Sequence, residues 1–183
     1  MVISPITTIK NGWITHPLCH SVEDWQSHKF ISPNAVDFTI DRMFTIDDST
    51  TVRISESQKN MAGGVLINPV FDTRYQQDFF RINNRCVVDG MSDMFVKVPD
   101  GVVCLSMVVR STFNRNGIFI TSGIYDSGYE GHIGFAMHNQ RNAPAFVGVG
   151  TRVGQIVFIE ADSAGIYEGG WNHTEGSHYS EKK

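Results

Sequence analysis

The sequence predicts an all-β fold, a sandwich or barrel built from many short strands, and three observations carry that reading. Apolar and polar residues alternate with a period of two through a series of short segments. Gly, Pro, Asn and Asp punctuate those segments, as at Asp89-Gly90, Pro99-Asp100-Gly101, Asn116-Gly117 and Asp126-Ser127-Gly128. Beyond Gly12 a helical period is hard to find.

Taken in order, Ser4-Pro5 opens a short N-terminal helix through Lys10, because Ser suits the N-cap and Pro the first helical position. Asn11-Gly12 stops it. Ala35 to Phe44 alternates at Val36, Phe38 and Ile40, the period of a half-buried strand. Residues 51–55, 94–98, 102–109, 117–122, 132–138 and 154–160 read the same way. Residues 56–93 are the least legible, and their aromatics Phe71, Tyr75, Phe79 and Phe80 read as core or subunit contacts. From Tyr167 onward the chain turns Gly-rich, polar and aromatic, which divides it into a β domain over 1–166 and a flexible tail over 167–183. That tail is either a frayed end or a lid that orders over a ligand.

At 183 residues the chain suits one domain, and its 41% hydrophobic and 11% aromatic content excludes disorder. A net charge of −4 argues against nucleic acid as a partner. Cys19, Cys86 and Cys104 are odd in number and far apart, so no disulfide framework is implied. The N-terminus lacks an apolar signal core, and the longest apolar run, Val102 to Val109, is far short of a membrane span. The expectation is a soluble cytoplasmic protein.

The chemistry is narrowed first by absences. There is no P-loop, Rossmann glycine pattern, GxSxG elbow or HExxH. Zinc-dependent deamination needs a CxxC pair, which is missing. His16, Cys19 and His20, like His173 and His178, lack the further ligands a metal centre needs. Three segments are richer. Arg110-Ser-Thr-Phe-Asn-Arg115-Asn-Gly117 sets two guanidinium groups and a hydroxyl beside a glycine turn, a phosphate cradle or else a pair of surface arginines. Gly123-Ile-Tyr-Asp126-Ser-Gly128-Tyr129-Glu-Gly131 lets a tight turn present a carboxylate and an aromatic face, or is a plain hairpin turn. Gly150-Thr-Arg152-Val-Gly-Gln155-Ile-Val-Phe158 places an amide in a strand pattern, where burial would demand partners.

Together these segments resemble the trimeric dUTPase and dCTP deaminase superfamily. RSTFNRNG resembles its second motif, GIYDSGYEGHI its third and RVGQIVF its fourth. Ser32-Pro-Asn-Ala-Val-Asp37-Phe looks like the first, and FVKVPDGVV like the strand and turn before the second. ISPITTIKNGWITHP and YEGGWNHTEG are similar to the opening and tail of the deaminase branch. The tail also lies against the dUTPase fifth motif with Trp171 at the aromatic lid, although the arginine that usually precedes those glycines is absent. One position separates the branches. Deaminases place a proton-handling Glu on the strand after the third motif, and here that strand, His132-Ile-Gly-Phe-Ala136-Met-His138-Asn139, carries Ala136 instead. A methyl group cannot act as general acid or base.

The resemblance therefore implies a distorted β-barrel or jelly roll of the dUTPase type, assembled as a homotrimer with active sites between subunits. It implies hydrolysis of a pyrimidine deoxynucleoside triphosphate, dUTP foremost, to monophosphate and pyrophosphate. Asp126 is expected to position and activate the attacking water, with Asp37 supporting the site. Ser111, Arg115, Gln155 and Arg110 are the expected phosphate contacts, Arg110 having the alternative of holding Asp37 or the trimer. Tyr129 would pack under the deoxyribose, Gly123 and Ile124 would border the base, changes near Thr121 and Ser122 would move base preference, and Trp171 is the lid candidate. Mg²⁺ would bind through the substrate phosphates, with no direct protein ligand. The alternatives are dCTP deamination, alone or combined with dUTP hydrolysis, a different or modified pyrimidine substrate, and a non-catalytic nucleotide-binding regulator.

Overall fold

A computed structural model describes residues 1–47, 49, 51–55, 64–107, 110–162 and 165–169. The chain begins with helix α1 (Pro5–Lys10), whose first-turn proline and closing Gly12 at φ +68° sit as expected. Strand β1 (Ile14–Thr15) and helix α2 (Val22–Ser27) follow. Helix α2 was not expected. The Ser21 hydroxyl accepts from the Asp24 N–H while the Asp24 carboxylate accepts from the Ser21 N–H, a reciprocal cap that needs no apolar period.

The remaining elements are β2 (Val36–Ile40), β3 (Arg42–Thr45), β4 (Val70–Asp72), β5 (Gln77–Ile82), β6 (Val87–Lys97), β7 (Val102–Met107), α3 (Ser111–Arg115), β8 (Ile118–Thr121), β9 (Ile124–Tyr125), β10 (Glu130–Asn139), β11 (Ala145–Gly148) and β12 (Thr151–Glu160). The all-β class with a short N-terminal helix is thus what the chain forms. Several expected elements change. The single strand over 35–44 is two strands broken at Asp41, whose carboxylate accepts from the Thr39 hydroxyl at 2.6 Å and the Asp93 N–H at 2.9 Å. Residues 51–55 form no strand. The segment expected to start at Met94 begins seven residues earlier, at Val87. The phosphate-cradle segment contains the short helix α3 rather than only a turn.

The strands pair in three antiparallel sheets. One runs β1-β6-β10-β8 with β3 also on β6, a second runs β2-β12-β7-β9, and a smaller one runs β11-β5-β4. The two larger sheets meet at Phe38 of β2 and Phe135 of β10, ring centroids 5.3 Å apart, inside a core that includes Ile40, Met94, Ile133 and Phe158. Along β10, Ile133, Phe135 and Met137 enter this core, so Gly134, Ala136 and His138 project from the opposite face. Phe80 is buried in the core, whereas Phe71 and Tyr75 are exposed on the chain. Cys19, Cys86 and Cys104 are free thiols. No helix among the described residues is long and apolar enough to cross a membrane.

Gly90 of β6 lies beneath the Phe135 ring, where an added Cβ would overlap the ring itself. Overpacking of this kind costs about 1–3 kcal/mol. Gly90→Ala is therefore expected to lose that much stability, read as a lower urea midpoint at an unchanged denaturation slope, and wild-type stability in the variant would show that the ring shifts freely.

Candidate functional site

The first group of site residues gathers on Asp37. This residue lies on β2 directly opposite Gln155 of β12 and is 1% exposed. Two guanidinium groups meet its Oδ2, that of Arg110 and that of Arg152, the latter through Nη1 at 3.2 Å. On the other oxygen, Gln155 Nε2 donates to Oδ1 at 2.7 Å and the Ser32 hydroxyl donates at 3.4 Å. Gln155 Nε2 also donates to Ser32 Oγ at 3.1 Å, so both of its amide hydrogens are engaged. A buried charge requires this compensation. Arg110 thus meets Asp37, one of the contacts expected of it, and both Gln155 amide hydrogens are taken up within the chain. Arg152, quoted in the fourth motif but given no role there, does comparable work and also donates to the Lys29 carbonyl at 2.6 Å.

Ser111 and Arg115 occupy the two ends of α3, four residues apart on one face, and both are exposed. The preceding residue is tied down by the Arg110 N–H, which donates to the Val153 carbonyl at 3.0 Å. This fixes the helix beside β12.

The second group surrounds a cavity of about 370 Å³ lined by Asp89, Thr121, Ser122, Gly123, Ile124, Tyr125, Tyr129, Gly134, Phe135, Ala136 and Tyr167. Strand β9 delivers Ile124 and Tyr125 by pairing with Leu105 and Cys104 of β7. The chain then turns sharply. Gly128 adopts φ +85°, its N–H donates to the Val98 carbonyl at 2.8 Å, and the Tyr129 N–H donates to the Asp126 carbonyl at 3.0 Å. Asp126 is left exposed at the tip, next to the cavity but not in its wall.

Tyr129 is buried beneath this turn, with its hydroxyl donating to the His132 carbonyl at 3.0 Å. Its ring packs against Tyr125 and Tyr167, with centroids 4.8 and 5.7 Å away. Burial pushes the Tyr125 and Tyr129 phenols well above the ordinary tyrosine range, so both stay protonated. The Ser122 hydroxyl and the Tyr125 hydroxyl both donate to the Gly134 carbonyl, at 2.9 and 3.1 Å. The Tyr167 N–H donates to the Ser127 carbonyl at 2.7 Å, which carries the start of the expected tail onto the cavity wall.

Of the expected site residues, Gly123, Ile124 and Tyr129 meet at the cavity, while Asp37, Arg110 and Gln155 meet at the buried carboxylate. None of Asp37, Arg110, Ser111, Arg115 and Gln155 lines the cavity of its own chain. Trp171 lies outside the described residues. Asp89 was missed. It stands in the illegible stretch, and only the register of β6 against β10 reveals it, by pairing it with Ala136.

A family model described as dCTP deaminase-like matches residues 18–161. The dCTP deaminase, dUMP-forming, of Bifidobacterium animalis subsp. lactis is 26% identical over 164 residues, covering 87% of this chain and 80% of that protein. The deoxyuridine 5′-triphosphate nucleotidohydrolase of Methanocaldococcus jannaschii is 24% identical over 135 residues, covering 73% and 81%. Among solved structures, the 2′-deoxycytidine 5′-triphosphate deaminase from Agrobacterium tumefaciens superposes with a TM-score of 0.60 at 13% identity. That superposition covers 86% of this chain and spans about half (47%) of the Agrobacterium protein, and it shows a common fold.

Proposed function

Because the chain belongs to the dCTP deaminase-like family, we propose that it hydrolyses a pyrimidine deoxynucleoside triphosphate, dUTP foremost, to the monophosphate and pyrophosphate. The observation that carries this reading is the turn that holds Asp126 exposed beside a cavity walled by the buried Tyr129. Water attacks the α-phosphorus, the Asp126 carboxylate orients that water and takes its proton, and pyrophosphate departs. Ser111 and Arg115 receive the phosphates from α3. The Tyr129 ring supports the deoxyribose and leaves no room for a 2′-hydroxyl. Ala136 favours hydrolysis over deamination, since its methyl group moves no proton.

The same reading includes a homotrimer. The assigned phosphate donors do not line the cavity of their own chain, and in this reading a neighbouring copy brings them to it. The exposed Phe119, Ile124 and Phe146 are apolar surface suited to such contacts.

Mg²⁺ fits as an ion carried by the substrate. The groups assigned to the phosphates are cationic or hydroxylic, so in this reading the ion's oxygen ligands come from the substrate. When bound, Mg²⁺ supplies charge neutralisation on the phosphates.

The test is product analysis with Mg²⁺ and separate dUTP, dCTP, dTTP and UTP. The expected result is dUMP and pyrophosphate from dUTP, with UTP intact. Hydrolysis of UTP would remove the role given to Tyr129, and absence of turnover on every nucleotide would overturn the hydrolase reading in favour of a binding protein.

A further inference from the structure

We propose that a cavity at the head of β6 is a second anion site, which takes a small organic phosphate through Arg81 and Arg85. The cavity has a volume of about 540 Å³ and lies between the end of β3, the turn that joins β5 to β6, and the first residues of β6. Thr45, Arg81, Asn83 and Arg85 supply its polar lining, and Ile46, Ile67 and Val87 supply an apolar wall. It shares no lining residue with the cavity walled by Tyr129. The inference therefore stands apart from the nucleotide reading above.

Charge sets this cavity apart. The chain carries a net charge of −4, yet the run from Phe79 to Val88 holds two arginines and no acid. No residue lining the cavity is a carboxylate. Elsewhere Arg42, Arg110 and Arg152 each meet an aspartate. Arg81 and Arg85 meet none among the described residues. Arg81 lies between Phe80 and Ile82, which are buried in the core, so its side chain leaves the opposite face of β5. The residue across from it on β11 is the exposed Phe146, which offers no acceptor.

Arg85 is held in place by the chain around Asn142. It adopts φ +58°, a left-handed conformation uncommon for a residue with a side chain. Its N–H donates to the Arg141 carbonyl at 3.2 Å, and its Nε donates to Asn142 Oδ1 at 2.9 Å. The backbone at this turn would favour glycine or asparagine, and the chain places a guanidinium group there instead. With Nε engaged, the two Nη nitrogens keep four N–H groups for a ligand.

Two like charges in one cavity are unfavourable until an anion enters. A phosphate dianion matches both charges and accepts paired N–H···O bonds from each planar fork. A single carboxylate would leave one guanidinium group uncompensated. The apolar wall favours an organic body on that phosphate, and the volume falls within the range of small-molecule sites.

The experiment titrates phenyl phosphate and, separately, inorganic phosphate into the full chain by calorimetry, without Mg²⁺ and at constant ionic strength. The unaltered protein is expected to bind phenyl phosphate saturably and at least threefold tighter than inorganic phosphate. Arg81→Gln is expected to weaken phenyl phosphate binding at least threefold, and Arg81→Gln combined with Arg85→Gln at least tenfold. Arg115→Gln, which alters the phosphate donors assigned on α3, is expected to leave that affinity within twofold.

Equal affinity in the double variant and the unaltered protein overturns the proposal, as does the absence of saturable binding to the unaltered protein. If the double variant does not fold, Arg81→Gln decides alone, because that side chain gives up no hydrogen bond to a described residue. Unchanged affinity in it overturns the proposal. A loss confined to Arg115→Gln places the probe on α3 and overturns it too. Inorganic phosphate bound as tightly as phenyl phosphate overturns the organic ligand class. Each of those results leaves dUTP hydrolysis standing, which product analysis tests separately.

Discussion

Asp126→Asn is expected to lower kcat for dUTP hydrolysis by about 10²–10⁴-fold, the range that a positioned general base contributes, while the affinity for a non-hydrolysable analogue stays within a few fold. The structure separates the two quantities because the bonds that hold the turn make no use of the Asp126 carboxylate. The Gly128 and Tyr129 N–H groups donate to the Val98 and Asp126 carbonyls, and the Ser127 hydroxyl donates to the Val102 carbonyl at 2.8 Å. The asparagine variant keeps every one of those bonds and the volume of the side chain. It loses only an anion able to take a proton from water. Steady-state kinetics alongside calorimetry reads the split between kcat and affinity. A variant that hydrolyses dUTP at the original rate takes Asp126 out of the mechanism, whereas parallel loss of binding and turnover would make it a binding residue instead.

Much of this site was legible in the sequence because its parts are local. The turn at 123–129 is written in contiguous residues, with Gly128 required at φ +85° and Tyr129 following at once. Strands β7, β8, β10 and β12 were legible for a similar reason, since each is an apolar-rich run bounded on at least one side by Gly or Asn.

What escaped was decided by tertiary structure. In β2, Val36-Asp-Phe-Thr-Ile40 alternates like a half-buried strand, yet all five residues are buried. Asp37 and Thr39 can be buried because other groups satisfy them, the distant Arg110, Arg152 and Gln155 for the acid, the neighbouring Asp41 and the distant Ser92 for the hydroxyl. Helix α2 is too short to show a period and rests on its cap and on one buried residue, Trp25. Asp89-Gly90 reads locally as a turn, yet both residues lie inside β6. The meaning of Asp89 lies in the residue opposite, and register between strands 47 positions apart cannot be read along one of them.

The Asp37 cluster gives the prediction with the largest expected effect on stability. Arg110 and Arg152 both reach the same carboxylate oxygen, and the carboxylate is 1% exposed whereas the two arginine side chains are 37% and 31% exposed. The penalty for breaking the cluster therefore falls on the acid. Arg110→Ala or Arg152→Ala leaves Asp37 one guanidinium group and the Gln155 amide, and each is expected to cost about 1.5–3 kcal/mol, the range of a hydrogen bond to a charged group. The double variant leaves a buried carboxylate with only neutral donors, Gln155 and Ser32. Breaking a buried pair to that state costs about 3–5 kcal/mol. Urea denaturation of the two single variants and the double variant forms a cycle that measures the coupling. Adding Asp37→Asn to the double variant is expected to recover stability, because it removes the charge and keeps an acceptor for Gln155. Recovery by that third substitution locates the cost on the unpaired anion. If the triple variant is no more stable than the double, the arginines stabilise the fold through the packing of their stems, and Asp37 is not what they serve.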